Sequence, residues 1–322
     1  MKRRSLLLLP LAAALPARAR AARTWPDRPV TMIVPYAPGG SADVLARVFG
    51  PAMSEVLGQP VVVELRPGAG GNIGAAYVAR SAPADGYHFL FASLSLSTAP
   101  ALQSIAFNPL RDLVPVAGIG AIPSLAVVAP DSPFRSIQDV LAAARARPGE
   151  VSYGSSGLAT GSHLAGEMLA DRAEAELLHV PYRGSGAVYP DLIARRIDLL
   201  LDVMGSSLGQ VKAGAVRAIG VTSARRAAAL PEVPTIAEQG VPGYEFATWF
   251  GFFARSGTPP EALRKLEAAT MHALESPLVK QRLEEAAAEP IPRPAAEFGT
   301  WYRTQVENWQ GMVRSGKLAR LD

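Results

Sequence analysis

A chain of 322 residues with 49% hydrophobic and 19% charged residues is globular in composition and exceeds one ordinary core, favouring two domains of roughly 150 residues each. The absence of cysteine excludes disulfides and thiolate metal sites, and four well-separated histidines argue against a zinc cluster, so no metal or cofactor is expected. The formal charge of +4 belongs to the N-terminus: without Lys2, Arg3, Arg4, Arg18 and Arg20 the chain holds 27 basic against 28 acidic residues, with no basic stripe to attract nucleic acid.

Residues 1–22 read as a secretory signal peptide. Lys2, Arg3 and Arg4 form a basic region, residues 6–15 an apolar one, and Ala17-Arg18-Ala19 or Ala19-Arg20-Ala21 a small-residue cleavage site. Arg3-Arg4-Ser5 also fits a twin-arginine leader, which leaves the export route open between that and the general pathway. No other apolar run approaches the roughly 20 residues of a spanning helix, so the expected product is periplasmic.

Strands and helices then alternate, the pattern of an α/β fold with mixed, largely parallel sheets. Strands are expected at 30–34, 61–64, 88–92, 125–128, 151–153, 177–180, 197–201 and 217–221. A helix over 41–57 should be capped by Ser41, carry Asp43 in its first turn, and kink or split at Pro51. The last third changes character. Thr258-Pro259-Pro260-Glu261 starts a helix, and 262–274, 278–287 and 298–313 read as successive helices without strands, a helical tail on a domain already built.

Two glycine-rich loops carry the strongest chemical signal. Pro38-Gly39-Gly40-Ser41 and Pro67-Gly68-Ala69-Gly70-Gly71-Asn72 each join a β-branched strand to a helix-patterned segment. The first amides of a helix have no intrahelical partner and sit at the positive end of its dipole, so two such ends can grip one carboxylate. Gly154-Ser155-Ser156-Gly157 and Arg183-Gly184-Ser185-Gly186 also follow strands. Ligands of open α/β sheets bind outside the carboxyl ends of strands, so these loops are expected to line the same cleft from a second domain.

An ordered series of motifs resembles the tripartite tricarboxylate transporter receptors, also called Bug solute-binding proteins. It begins with Trp25-Pro26, Ile33-Val34-Pro35-Tyr36, Pro38-Gly39-Gly40 and Asp43. It continues through Leu57-Gly58-Gln59-Pro60, Arg66-Pro67-Gly68-Ala69-Gly70-Gly71-Asn72, Asp85-Gly86-Tyr87 and Tyr153-Gly154-Ser155. It ends with His163-Leu164-Ala165, His179-Val180-Pro181-Tyr182, Leu230-Pro231-Glu232-Val233-Pro234-Thr235 and Trp249-Phe250-Gly251. The resemblance implies a two-domain periplasmic binding protein, type II-like, a non-enzyme that captures a small carboxylate between its domains. The ligand would be a di- or tricarboxylate, or a hydroxy, aromatic or amino acid. Its implied partners are integral membrane transporter subunits, and the receptor is expected to be a monomer. Domain I is expected over 23–123 and 228–322, and domain II over 124–227.

By the same resemblance the carboxylate-gripping loops supply Tyr36, Ala37, Gly39, Gly40 and Ser41, then Gly68, Ala69, Gly70, Gly71 and Asn72. Ser93, Ser155, Ser156, Thr160 and Asp202 are expected to face the cleft. The chain departs from the family pattern at Leu65, where Asn is usual, and in 94–103, which lacks a common Asn-Pro pair. Ala159 and Arg195 stand where Gly is usual.

Several residues admit two readings. Asp43 reads as a helix cap, since a carboxylate there would repel an anionic ligand. His163 and His179 read as structural histidines, and Trp249 and Trp301 as packing residues. Tyr36 can bond the ligand or pack. Asp202 can accept from a ligand hydroxyl or ammonium, or pair with Arg183 and order the second domain.

An exported serine hydrolase is the rival: Gly205-Ser206-Ser207-Leu208-Gly209 satisfies G-x-S-x-G after a strand, with Ser207 as nucleophile. The only later histidine is His272, inside an amphipathic helix, which leaves Ser207 without a loop base. A dinucleotide site fails because Ile73 occupies the third glycine position. A binding protein serving a signalling receptor has the same sequence signature as a transport receptor.

Overall fold

The computed structural model describes residues 24–285, 288–316 and 318–321, so the expected signal peptide lies outside the described residues. The first elements are β1 (Val30–Val34), α1 (Ser41–Leu57), β2 (Val61–Leu65), α2 (Asn72–Ala76), β3 (His88–Ser93), α3 (Ser95–Leu102), α4 (Pro109–Asp112) and the long β4 (Leu113–Val128). The middle of the chain forms α5 (Ile137–Ala146), β5 (Ser152–Ser155), α6 (Gly161–Arg172), β6 (Leu178–Pro181), α7 (Ser185–Ile193), β7 (Leu199–Val203), α8 (Met204–Lys212) and β8 (Arg217–Val221). The last part contains β9 (Ala247–Arg255), α9 (Pro260–Glu275), α10 (Pro277–Glu285), β10 (Glu289–Pro294) and α11 (Ala295–Arg314).

The strands run in the order β2-β1-β3-β9-β4-β7-β5-β6, with β8 and β10 also paired to β4. Pairing is parallel on the flanks, where β1 joins β2 and β3, and β5 joins β6 and β7. The centre is antiparallel, built on β9 and β4. The sheet is therefore mixed, and the expected parallel bias holds only where helices cross between strands. β4 changes partners along its length: it follows β9 as far as Pro123, then pairs with β7 and β8 from Ser124 on.

All eight expected strands form, but the strand expected at 125–128 is only the end of β4. Its earlier part carries Pro115, Gly118, Gly120 and Pro123, which read as turn signals. In the fold, β-bulges between Pro115 and Ala117 and between Gly118 and Gly120 absorb them. The helical tail is interrupted, contrary to expectation, by β10 between α10 and α11. Proline cannot donate to a ladder, yet β10 holds Pro290, Pro292 and Pro294; it pairs with β4 through a register break between Pro290 and Arg293.

Helix α1 also differs from expectation. Gly40 occupies the N-cap position, extended at φ −77°, and Ser41 is the first helical residue. No side chain caps the helix; Asp43, in its first turn, ties back the preceding loop, its Oδ2 accepting from Gly39 N at 2.9 Å and its Oδ1 pairing with Arg47 Nε at 2.8 Å. Pro51 does not split the helix, because the face formed by Leu45, Phe49, Met53 and Leu57 is buried in the core and offsets the lost backbone hydrogen bond, about 3 kcal/mol.

The tail is anchored by aromatic packing. Trp249 of β9 meets Trp301 at 5.7 Å and Tyr302 at 5.7 Å between ring centroids, and Phe253 meets Phe298 at 5.3 Å. Phe298 lies so close to β4 and β9 that a Cβ on Gly118 or Gly251 would fall 2.8 or 2.4 Å from its ring, which requires glycine at both positions. Trp249 and Trp301 are packing residues, as expected.

Candidate functional site

A cleft of about 830 Å³ opens where the carboxyl ends of β1 and β2 face those of β5, β6 and β7. That volume suits a small organic ligand. Tyr36, Ala37, Gly40 and Ser41 line it from the loop after β1. The Tyr36 hydroxyl receives Ser93 N at 3.1 Å and Ser93 Oγ at 2.7 Å and lies 2.8 Å from Ser95 Oγ, so Ser93 and Tyr36 form one wall. Burial raises the Tyr36 pKa above its ordinary value and keeps the phenol neutral.

Gly68, Ala69, Gly70 and Gly71 line the cleft from the loop after β2, with φ of 133°, 47°, 64° and 104° in turn. This run of positive φ needs its glycines. It coils residues 69–71 into one 3₁₀ turn, closed by Gly71 N to Gly68 O at 2.9 Å, that runs directly into α2. The opening amides of such a turn have no partner inside it.

The opposite wall comes from the loops after β5, β6 and β7. Ser156 and Thr160 line the cleft, Ser156 Oγ lying 2.9 Å from Ser162 Oγ and Thr160 Oγ1 donating to Gly157 O at 2.6 Å. The two walls touch. A Cβ on Gly70 would fall 2.5 Å from Leu158 O, one on Gly184 would fall 2.5 Å from Ala37 Cβ, and Thr98 Oγ1 donates to Ala159 O at 2.7 Å.

Asp202, at the end of β7, is 2% exposed and lines the cleft floor. Its Oδ1 accepts from Ser185 Oγ at 2.7 Å, and its Oδ2 from Tyr189 at 2.8 Å and Ser206 Oγ at 2.7 Å. Burial pushes its pKa up while these hydroxyls oppose the shift. Its partners are hydroxyls, not Arg183, which corrects one of the two alternatives raised for it. Arg183 borders the cleft without an ion pair among the described residues.

Three expected cleft residues lie elsewhere. Gly39 turns the chain behind the first loop and gives its N–H to Asp43. Asn72 donates from Nδ2 to Gln103 Oε1 at 2.8 Å, and Gln103 lines the cleft in its place. Ser155 is fully buried, 2.6 Å from His179 Nε2. His163 and His179 stack at 4.0 Å behind that wall, and burial lowers both imidazoles to about 4, with His163 further lowering His179. Gln103 fell in a stretch whose only signal was a departure from the family pattern. Thr248 and Phe250 also line the cleft, but they belong to β9, whose strand character the sequence concealed.

The usual glycine positions at Ala159 and Arg195 keep their left-handed backbone, with φ of 59° and 56°. Ser207 is fully buried in α8, its Oγ donating to Val203 O at 3.2 Å and Asp202 O at 3.3 Å, while His272 lies on exposed α9 surface. This geometry does not form a nucleophile elbow. Among the described residues no group of three or more His, Cys, Asp or Glu could hold a metal ion, and no helix is long and apolar enough to cross a membrane.

The family model for the tripartite tricarboxylate transporter family receptor matches residues 45–318. A UPF0065 protein from the tcbD-tcbE intergenic region of a Pseudomonas species is 42% identical over 94% of this chain and 90% of its own. The periplasmic binding protein BugD superposes with a TM-score of 0.86 at 32% identity, covering 92% of this chain and all of its own. The R. palustris protein Rpa4515 with adipate gives a TM-score of 0.86 at 36% identity over the same shares.

Proposed function

Because the chain belongs to the tripartite tricarboxylate transporter receptor family, we propose that it is a periplasmic receptor that captures a small carboxylate in this cleft and delivers it to membrane transporter subunits. The observation that supports this reading is that Gly40 and Ser41, at the start of α1, and Gly68 to Gly71, which lead into α2, line the same hydroxyl-lined cleft. Tyr36, Ala37, Gly40, Ser41 and Gly68 to Gly71 would hold the carboxylate, with Ser93, Ser156, Thr160 and Asp202 shaping the rest. Adipate bound to Rpa4515 supports an acid of that kind.

The partner exchange of β4 at Pro123 and Ser124 supports the division into residues 23–123 with 228–322 and residues 124–227. Closure would then bring the Leu158 and Gly184 loops onto Gly70 and Ala37. The receptor acts as a monomer and carries no chemistry of its own.

Calorimetry of the mature protein against mono-, di- and tricarboxylates and amino acids tests the reading. At least one acid should bind near micromolar Kd, about −8 kcal/mol, supplied by amides, hydroxyls and closure together. No binding across the panel would refute it. Mass spectrometry of periplasmic protein should find a new N-terminus between Arg20 and Thr24.

A further inference from the structure

Thr248 lines the cleft and is only 3% exposed, yet its Oγ1 is buried without a hydrogen-bond partner among the described residues. A buried hydroxyl left unpaired is costly, and native proteins satisfy nearly all such groups. Strand phase sets its direction. Thr248 and Phe250 share the face of β9 that lines the cleft, while Trp249 turns to the other side against Trp301 and Tyr302. The hydroxyl lies against the start of α6: a Cβ on Gly161, the first residue of that helix, would collide with Thr248 Oγ1, so glycine here admits the hydroxyl to the helix end. Thr160 holds the N-cap position without capping, its own hydroxyl donating to Gly157 O at 2.6 Å. A Cβ on Gly70 would lie 3.8 Å from Thr160 Cγ2, so the uncapped start of α6 stands beside the glycine turn after β2.

We infer that Thr248 is a ligand-binding residue whose hydroxyl donates, beside the first amides of α6, to an oxygen of the carboxylate held at the Gly68 to Gly71 turn. The inference rests on the carboxylate-receptor reading above, and it adds an anchor from β9 and α6 to the two loops after β1 and β2. An anionic acceptor suits the position. The start of α6 is the positive end of its dipole, which attracts a carboxylate oxygen and repels an ammonium group. The other polar side chains of the opposite wall are already engaged: Ser156 with Ser162, Thr160 with Gly157, and Asp202 with Ser185, Tyr189 and Ser206. Thr248 has no such partner, so its hydrogen is available to the ligand.

The test is calorimetry near pH 7 with the straight-chain monocarboxylates from acetate to octanoate and the dicarboxylates from malonate to suberate. Thr248→Val is nearly isosteric and keeps the β-branch that suits a strand. It should weaken the tightest wild-type binder of the series by about 10- to 100-fold, the range of a lost hydrogen bond to a charged group. The ligand-free melting temperature should hold or rise, because the hydroxyl removed leaves no partner stranded. A purely structural threonine would lose stability instead. Thr248→Ala, too small to crowd Gly161, should show the same loss of affinity, and Thr248→Ser, which keeps the hydroxyl, should retain most of it. Affinity unmoved in both hydroxyl-free variants would overturn the inference while leaving the receptor reading intact. Failure of every acid to bind the wild type would overturn both.

Discussion

Ser41 Oγ, in the first turn of α1, donates to Ser206 Oγ of α8 at 3.1 Å. Ser206 in turn donates to Asp202 at 2.7 Å, so a chain of hydroxyls links one wall of the cleft to the buried carboxylate of the other. This arrangement gives Asp202 a structural role within its own half. Tyr189 is buried and has Asp202 as its partner. Asp202→Ala should therefore lower ligand-free stability by about 2 kcal/mol, the cost of stranding a buried donor, and weaken all ligands by a similar factor. Urea denaturation and calorimetry report the two effects. Loss confined to hydroxy or amino acids, at unchanged stability, would show instead that Asp202 reads the ligand.

The stacked pair His163 and His179 makes stability depend on pH. Both imidazoles are lowered to about 4 from an ordinary value near 6.5, chiefly by burial. A base with a depressed folded pKa contributes stability above its unfolded pKa and loses it as pH falls through the folded one. Between pH 7 and 5, His163 alone should cost on the order of 2 kcal/mol. Proton NMR should find two of the imidazoles titrating near pH 4, and urea melts should show the loss between pH 6.5 and 4. Titration of every histidine near 6.5 would contradict the packed arrangement.

Much of the cleft was legible because its chemistry is local. A strand, a glycine run and a helix start lie within a few residues of one another, and the physics of unpaired amides needs no distant partner. What stayed hidden depended on long-range packing. β9 is buried on both faces, so it shows no alternation, and Thr248 and Phe250 went unseen with it. The front of β4 and all of β10 were masked by prolines and glycines that only bulges and register breaks make compatible with pairing. Ser155 faced the cleft by sequence position, but its strand phase directs it to His179. Asn72 turned aside because Gln103, 31 residues on, offers its side-chain oxygen.

Ser207 satisfies the spacing of a hydrolase nucleophile but not its geometry. Its Oγ turns back to carbonyls of β7 and is fully buried. A fluorophosphonate probe should leave the folded protein unlabelled. Ser207→Ala removes a hydroxyl bonded to backbone already engaged elsewhere and should change stability by about 1 kcal/mol or less. Stoichiometric labelling that disappears in this variant would revive the hydrolase reading.

Gly70 joins backbone conformation to closure. Its φ of 64° is left-handed, and a Cβ there would sit 2.5 Å from Leu158 O on the opposite wall. Gly70→Ala therefore meets two costs. The strained backbone conformation costs about 1 kcal/mol whether or not the cleft is closed. The clash with Leu158 arises only when the two loops meet, so it should tax ligand binding beyond the effect on stability. A backbone carbonyl cannot swing aside as a flexible side chain would, and the Leu158 loop is further held by Thr98 Oγ1 on Ala159 O at 2.7 Å. Gly70→Ala should weaken the cognate acid by at least about tenfold while lowering ligand-free stability by only about 1 kcal/mol. Small-angle scattering at saturating ligand should give the variant a larger radius of gyration than the wild type. Unchanged affinity would mean that the ligand is held without contact between the Gly70 and Leu158 loops.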